Sequence, residues 1–365
     1  MRRVTAPGAT LVVKVGSSSL TRAGVGIDDL ALSGVVAQVS NAIGLGHPTV
    51  LVTSGAVAAG LPALGIATRP ADVGALQAAA AVGQGRLMER YTARFAEHGI
   101  VAGQVLLTKG VLGDRDQYLH ARAAFDWMLT HQIVPIVNEN DTVAIEELRL
   151  GDNDRLAALV SHLVGAGLLV ILTDTKGLHA DDPRSNGAAE LLNAVRHTDE
   201  ILDHLARGAP GPFGSGGIGT KIAAARMAAW SGVPTVIADA HDPDAIASAL
   251  KGHDVGTWID PRSDRLPARK LWIAFGQPAE GRLTIDEGAV KALVSGGSSL
   301  LAVGLVAVEG SFGAGAAVEV YSIGGALVAK GVVRLDSSAL SGSMGRKTAD
   351  GGEAIHRDDL VVLAG

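Results

Sequence analysis

Residues 133–154 read IVPIVNENDTVAIEELRLGDND, a strand-like apolar run that ends in Asn138, Glu139, Asn140 and Asp141 and is followed by Gly151, Asp152, Asn153 and Asp154. Ligands of open α/β sheets bind outside the carboxyl ends of the strands, and carboxylates mixed with amides there suit a small ligand carrying an ammonium and carboxylates. Two Asx-rich turns would use the same letters, because Asn and Asp bond their own backbone. Two lysines add a second chemistry. Lys14 interrupts the apolar run Leu11, Val12, Val13, Val15, where an unpartnered ammonium is very costly and an edge lysine reaching for water is the alternative. Lys221 closes the glycine-rich stretch GAPGPFGSGGIGTK at 208–221. After the strand-like TVLV come Thr53, Ser54 and Gly55; the glycine lets backbone approach a ligand, and the next helix offers free N–H groups to an anion. Thr173 and Asp174 follow the strand-like LLVIL in the same manner.

Such a set serves phosphoryl transfer to a carboxylate. The nucleophile is already ionised at neutral pH, so the reaction needs no general base; its barrier lies in bringing an anion against a polyphosphate and stabilising the equatorial oxygens. Lysines and backbone N–H groups meet that need. A Ser/His/Asp or Cys/His signature is not required, and none stands out.

To bring these residues together, the chain must collect several strand ends at one edge. Strand-like runs at 11–16, 49–52, 101–107 and 133–137 alternate with helical patterns at 28–45, 73–98 and 114–129. That order implies a parallel sheet with helices on both faces. Asp154 is expected as the N-cap of a helix over 155–164, and 168–172 as a buried strand. The stretch 208–221 is expected as a loop leading into a helix over 222–230 and a strand over 233–238. After residue 259 the texture changes. A linker at 260–275 gives way to short β-type runs at 300–308, 317–321, 327–334 and 360–363, which predict a small, mostly-β second domain over 276–365.

A chain of 365 residues is long enough for two domains. No run of 18 or more uncharged apolar residues occurs, and the opening Met1, Arg2, Arg3 is not followed by a signal-type apolar segment, so a soluble, cytoplasmic protein without membrane association is expected. The absence of Cys excludes disulfides, Cys-ligated zinc and a thiol nucleophile, and suits a reducing compartment. A net charge of -6 argues against broad adhesion to nucleic acid or membrane.

The glycine-rich stretch matches two templates unequally. A P-loop needs Gly directly before Lys, and Thr220 intervenes. The dinucleotide pattern fits Gly214, Gly216 and Gly219, with Asp239 twenty residues further on, which keeps an NAD-dependent oxidoreductase as the alternative function. The strand that should precede the first glycine is missing, however, because 208–213 contains two prolines.

Taken in order, Val12-Val13-Lys14-Val15-Gly16, Val52-Thr53-Ser54-Gly55-Ala56, Val137-Asn138-Glu139-Asn140-Asp141, Gly151-Asp152-Asn153-Asp154, Leu172-Thr173-Asp174 and Gly216-Gly217-Ile218-Gly219-Thr220-Lys221 resemble the motif series of the glutamate 5-kinase family. Gly297-Ser298-Ser299-Leu300-Leu301 and His356-Arg357-Asp358-Asp359 resemble that family's C-terminal PUA domain, so the resemblance covers almost the whole chain.

The resemblance implies an amino-acid-kinase αβα sandwich with a mostly parallel central sheet over 1–259, followed by a PUA-like domain. It implies the reaction ATP + L-glutamate → L-glutamyl 5-phosphate + ADP, the first step of proline synthesis. Lys14 and Lys221 would flank the transferring phosphoryl group with Asp154 orienting them, while Ser54, Asn138, Asp141 and Asn153 would hold glutamate. Thr173, Asp174 and the run Ser215, Gly216, Gly217, Ile218, Gly219, Thr220, Lys221 would contact ATP, together with Lys14. Magnesium (Mg2+) would ride on the nucleotide phosphates, as its preference for phosphate and retained water suggests. The resemblance also implies a homo-oligomer, hand-over of the acyl phosphate to glutamate-5-semialdehyde dehydrogenase and feedback inhibition by proline. Two departures stand out: Ser215 where the family often has Thr, and Gly219 where a hydroxyl is common, which leaves backbone N–H groups to meet phosphate there. A PUA domain suggests RNA, but 7 Lys/Arg against 10 Asp/Glu after Gly276, with only Phe312 and Tyr321 as aromatics, argues against RNA binding.

Overall fold

The computed structural model describes every residue except 1, 23–25, 109–110, 112–113, 144–152, 182–185, 207–216, 264, 278, 347–351 and 364–365, and the side chains of 115, 275 and 276. Near-continuous Val, Leu and Ile runs belong to strands covered on both faces, and such runs build a central sheet from β1 (Leu11–Val15), β2 (Thr49–Val52), β3 (Ala102–Leu107), β4 (Val134–Glu139), β5 (Leu168–Thr173), β6 (Ala194–Arg196), β7 (Thr235–Asp239) and β8 (Thr257–Asp260). The strand order is β3-β4-β2-β1-β5-β7-β8-β6, all parallel except β7 against β8. Strands β1, β2, β4 and β5 are buried at every position. The chain passes from β4 across β1 to β5, so the centre of the sheet is where the direction of winding changes, the usual ligand position in open α/β sheets.

The connecting helices are α1 (Asp29–Gly44), α2 (Ala56–Gly60), α3 (Val73–Glu97), α4 (Arg115–Thr130), α5 (Asn153–Leu163), α6 (Glu200–Ala206), α7 (Ile218–Trp230) and α8 (Ala245–Leu250). Carboxylates cap three of them: Asp28, Asp72 and Asp114 accept from the first free N–H groups of α1, α3 and α4. Helices α1, α3 and α8 bury Val35, Tyr91, Phe95 and Ile246 against Leu11, Val13 and Val15 of β1. Side chains alternate along a strand, so Lys14 points to the opposite face, where α5 and α7 pack. That alternation delivers a cation to the helix that carries Asp154.

Two expectations are corrected here. Helix α5 starts at Asn153, so Asp154 lies inside its first turn instead of capping it. Helix α7 starts at Ile218, so Gly219, Thr220 and Lys221 are helical and not loop. Gly219 has its own packing reason, since a Cβ there would stand 2.8 Å from the carbonyl oxygen of Ala206. The departure from a hydroxyl residue at 219 accompanies a close approach of α6.

The chain divides into two units, Met1–Arg265 and Leu266–Gly365. Residues from Leu266 onward, expected in part as linker, belong to the second unit: α9 (Ala268–Leu271) continues into a π-helical turn, Trp272–Gly276, with Leu271 and Ile273 fully buried. The buried Lys330 donates to the carbonyl oxygens of Ala274 and Gln277 and holds this turn to its neighbouring strand. The second unit contains β9 (Gly281–Ile285), α10 (Glu287–Gly296), β10 (Leu300–Leu301), β11 (Leu305–Glu309), β12 (Ala317–Ser322), β13 (Leu327–Val332), α11 (Ser337–Ser343), β14 (Glu353–Ile355) and β15 (Leu360–Val362). Its sheet runs β11-β9-β12-β13-β15, with β10 and β14 as a separate pair. The run 300–308 is two strands, and β9, β14, α10 and α11 were not legible in the sequence, being short or glycine-broken. Among the described residues, no helix is long and apolar enough to cross a membrane.

Burial pushes His162 of α5 down to about 4, and Arg265 and Arg122 add to the shift. The folded-state value lies below the unfolded one, about 6.5, so the unfolded chain takes the proton first and stability falls as pH drops from about 6.5 to 4. The loss should total about 3 kcal/mol at its limit. Denaturant unfolding of His162→Gln at pH 7 and pH 4.5 should show a shallower acid loss than the parent; an unchanged difference between the two pH values would refute this origin.

Candidate active site

One carboxylate organises the site. Asp154 is fully buried at the start of α5, with Lys14 Nζ 2.5 Å from its Oδ1 and Lys221 Nζ 3.3 Å from its Oδ2. The Thr220 hydroxyl lies 2.9 Å from Oδ2 and 2.8 Å from the Gly217 carbonyl oxygen. Burial works against charge on Asp154, and the two ammoniums overcome it, holding the carboxyl well below its usual range. Both lysines are themselves nearly buried, at 3 % and 8 % exposure. An edge lysine reaching for water is thereby ruled out for Lys14. Charges this deep are tolerated only when paired, and the pairing here leaves one net positive charge from three groups at the carboxyl edge of the sheet. That is a place for an anion.

Beside this triad lies a network of amides. Asn153 Nδ2 donates to Asn138 Oδ1 at 2.7 Å, to Ser54 Oγ at 3.2 Å and to the carbonyl oxygen of Thr53. These residues come from three elements: Ser54 from the turn after β2, Asn138 from the end of β4 and Asn153 from the first turn of α5. The Thr53 hydroxyl lies 2.8 Å from that of Tyr91 in the core, whose phenol is pushed up by burial. A cavity of about 990 Å³ opens over the network, lined by Ser54, Asn138, Glu139, Asp141, Asn153 and Asp174 among others. Thr173, the last residue of β5, reaches Asp174 Oδ1 at 3.1 Å.

The structure therefore brings together Lys14, Lys221, Asp154, Ser54, Asn138, Asp141, Asn153, Thr173, Asp174 and Thr220. Gly217 is the N-cap residue of α7, and Ile218 and Gly219 form its first turn. Ser215 and Gly216 lie outside the described residues, as do Gly151 and Asp152. Several lining residues were not singled out as site residues from the sequence, Glu139, Ser17, Arg22 and Arg69 among them. Glu139 is buried to 4 % exposure and lines the same cavity; its place inside the NEND cluster was the available signal. Ser17, Arg22 and Arg69 also line it, and they carry no spacing that sets them apart.

The dinucleotide alternative finds no support. Among the described residues, the element that precedes the glycines is a helix, α6, ending at Ala206. Asp239 is occupied locally, accepting from the backbone N–H of His241 at 2.9 Å and lying 2.9 Å from its Nδ1.

Comparison with known proteins identifies the family. The family model described as the amino acid kinase family matches residues 9–239, and that of the PUA domain matches residues 281–351. The chain is 42% identical to the glutamate 5-kinase of Marinomonas sp. (strain MWYL1) over the full length of both, and 45% identical to that of Frankia casuarinae, covering 100% of this chain and 99% of the other. Among solved structures, N-acetylglutamate synthase from Neisseria gonorrhoeae, complexed with coenzyme A and N-acetyl-glutamate, superposes with a TM-score of 0.50 at 16% identity over 71% of this chain and 61% of that one, a likeness of fold alone. Identity of this size along the entire length, on a chain whose ordered motifs converge at one sheet edge, makes it a member of the glutamate 5-kinase family of amino acid kinases with a C-terminal PUA domain.

Proposed function

We propose that the chain transfers the γ-phosphoryl group of ATP to the γ-carboxylate of L-glutamate, the first step of proline biosynthesis. The observation that carries this is the buried Asp154 held between Lys14 and Lys221. In phosphoryl transfer to a carboxylate two anions must meet, and the protein contributes chiefly position and positive charge. Asp154 keeps the two ammoniums apart and aimed, so that the charge spreading over the equatorial oxygens meets preorganised donors. Asn138, Asn153, Ser54 and Asp141 supply amide, hydroxyl and carboxylate groups for glutamate's carboxylate and ammonium ends. Thr173, Asp174 and the backbone N–H groups at the start of α7 face the nucleotide.

Both oxygens of Asp154 are engaged by ammoniums, which fits a magnesium ion that arrives on the nucleotide phosphates better than one caged by protein. When bound there, the ion neutralises phosphate charge. A hydroxylamine-trapping assay with ATP, magnesium and a panel of acidic amino acids tests the proposal. Glutamyl hydroxamate is expected, and product only from aspartate or N-acetylglutamate would overturn the choice of substrate.

Ground-state contacts predict a kinetic split. Asp141→Ala and Asn153→Ala should raise the Michaelis constant for glutamate by about 10-fold or more, the scale of losing a hydrogen bond to a charged group, with that for ATP nearly constant. Parallel increases in both constants would remove these residues from the glutamate pocket. The candidate site lies wholly within Met1–Arg265, so a chain ending at Arg265 is expected to stay soluble and retain turnover. Insoluble or inactive protein would mean that the second unit completes the first. Hand-over of the labile acyl phosphate to a dehydrogenase, inhibition by proline and self-association belong to the same proposal.

A further inference from the structure

Gln84, on α3, stands outside every motif that carries the proposed reaction, yet its side chain reaches the amide network. Its Oε1 accepts from Asn138 Nδ2 at 2.7 Å. Asn138 Oδ1 in turn accepts from the backbone N–H of Glu139 at 2.9 Å and from Asn153 Nδ2 at 2.7 Å, so both of its lone pairs are used. Reversing the Asn138 amide would set NH2 against two donors. With its NH2 hydrogens committed to Asn138, Ser54 and the Thr53 carbonyl, Asn153 keeps only its Oδ1 for a ligand in the cavity it lines. Gln84 makes its bond at some cost: its own Nε2 is buried with no partner among the described residues, a condition that needs a reason.

We propose that Gln84 is a positioning residue for the glutamate pocket: by accepting from Asn138 it holds that amide in the rotamer that spends Oδ1 on Asn153, and so turns the Asn153 carbonyl oxygen toward the substrate. An oxygen in that place takes a hydrogen bond from an ammonium group. Glutamate carries one, and the nucleotide does not. The proposal rests on the assignment of the cavity to glutamate, and its test separates the two.

Gln84→Met keeps the length of the side chain and removes the acceptor. It should raise the Michaelis constant for glutamate about 5- to 10-fold, the scale of one hydrogen bond, with turnover and the constant for ATP within about 2-fold. In an Asn138→Ala background the same change should add nothing, because the effect passes through Asn138. An equal rise in both constants, or additive effects in the two backgrounds, would overturn the proposal. A readout independent of turnover uses the free protein with 15N-labelled asparagine: the side-chain amide protons of Asn138 should shift and exchange faster in Gln84→Met. Unmoved Asn138 resonances would overturn the positioning role even in a fully active enzyme. Absence of glutamyl phosphate formation by the parent chain would instead refute the function, leaving the resonance result to decide the role of Gln84.

Discussion

Asp154→Asn should lower turnover at saturating substrate by about 10²-fold or more, and Lys221→Ala should do the same, while both Michaelis constants should move much less. The expectation follows from where Asp154 sits. Its two oxygens face two ammoniums in a fully buried position, and an amide keeps the shape while removing the charge that holds them. Breaking a buried ionic group by removing one partner leaves the others uncompensated, typically at about 3–5 kcal/mol, so the variant should also unfold earlier. Its folded-state carboxyl is depressed; the stabilisation from Asp154 is therefore complete above about pH 4, the unfolded value, and is lost only as pH falls below it. At neutral pH the parent has all of it. Polyphosphate can replace the missing negative charge, so ATP with magnesium should raise the melting temperature of Asp154→Asn by more than that of the parent. If Asp154→Asn instead raises only the glutamate constant with turnover intact, Asp154 clamps substrate and does not organise the lysines.

The second large effect lies in packing. Gly83→Ala should destabilise the first unit by about 3 kcal/mol or more, the upper range for overpacking, or roughly 6–12 °C in melting temperature. Helices α2 and α3 touch backbone to backbone: a Cβ at Gly83 would stand 1.8 Å from the Ala56 carbonyl oxygen and 2.5 Å from the Gly60 nitrogen, and one at Gly60 would stand 1.9 Å from the Ala79 carbonyl oxygen. No flexible side chain is there to yield. Since α2 begins immediately after Ser54 and Gly55, and Gln84 follows Gly83, forcing the helices apart should raise the glutamate constant as well. Gly85, two residues on, supplies the control. It is exposed with nothing within 4 Å of a Cβ, and Gly85→Ala should stabilise by about 1 kcal/mol through helix propensity alone. Equal melting shifts of one sign for the two variants would show that the α2–α3 contact is not the constraint.

Some of this was determined by the sequence alone. Runs such as VVKV and LLVIL read as buried strands, and their alternation with helical patterns leaves a parallel sheet as the economical arrangement. Polar residues placed directly after those runs must then gather at the carboxyl edge, which is why Lys14, Ser54, Asn138 and Thr173 were legible as one site. Local letters could not decide where helices begin. Asn153 and Ile218 start α5 and α7 because Asp154 and Lys221 gain partners across 67 residues of chain, and N-cap preference is weaker than the cost of an unpaired buried charge. Tertiary structure alone revealed that the even-numbered face of β1 aims Lys14 at α5, that a residue at 84 completes an amide chain begun at 138, and that the glycines at 60, 83 and 219 are places where backbones meet. Each depends on distance between segments far apart in sequence, a quantity that periodicity and composition do not carry.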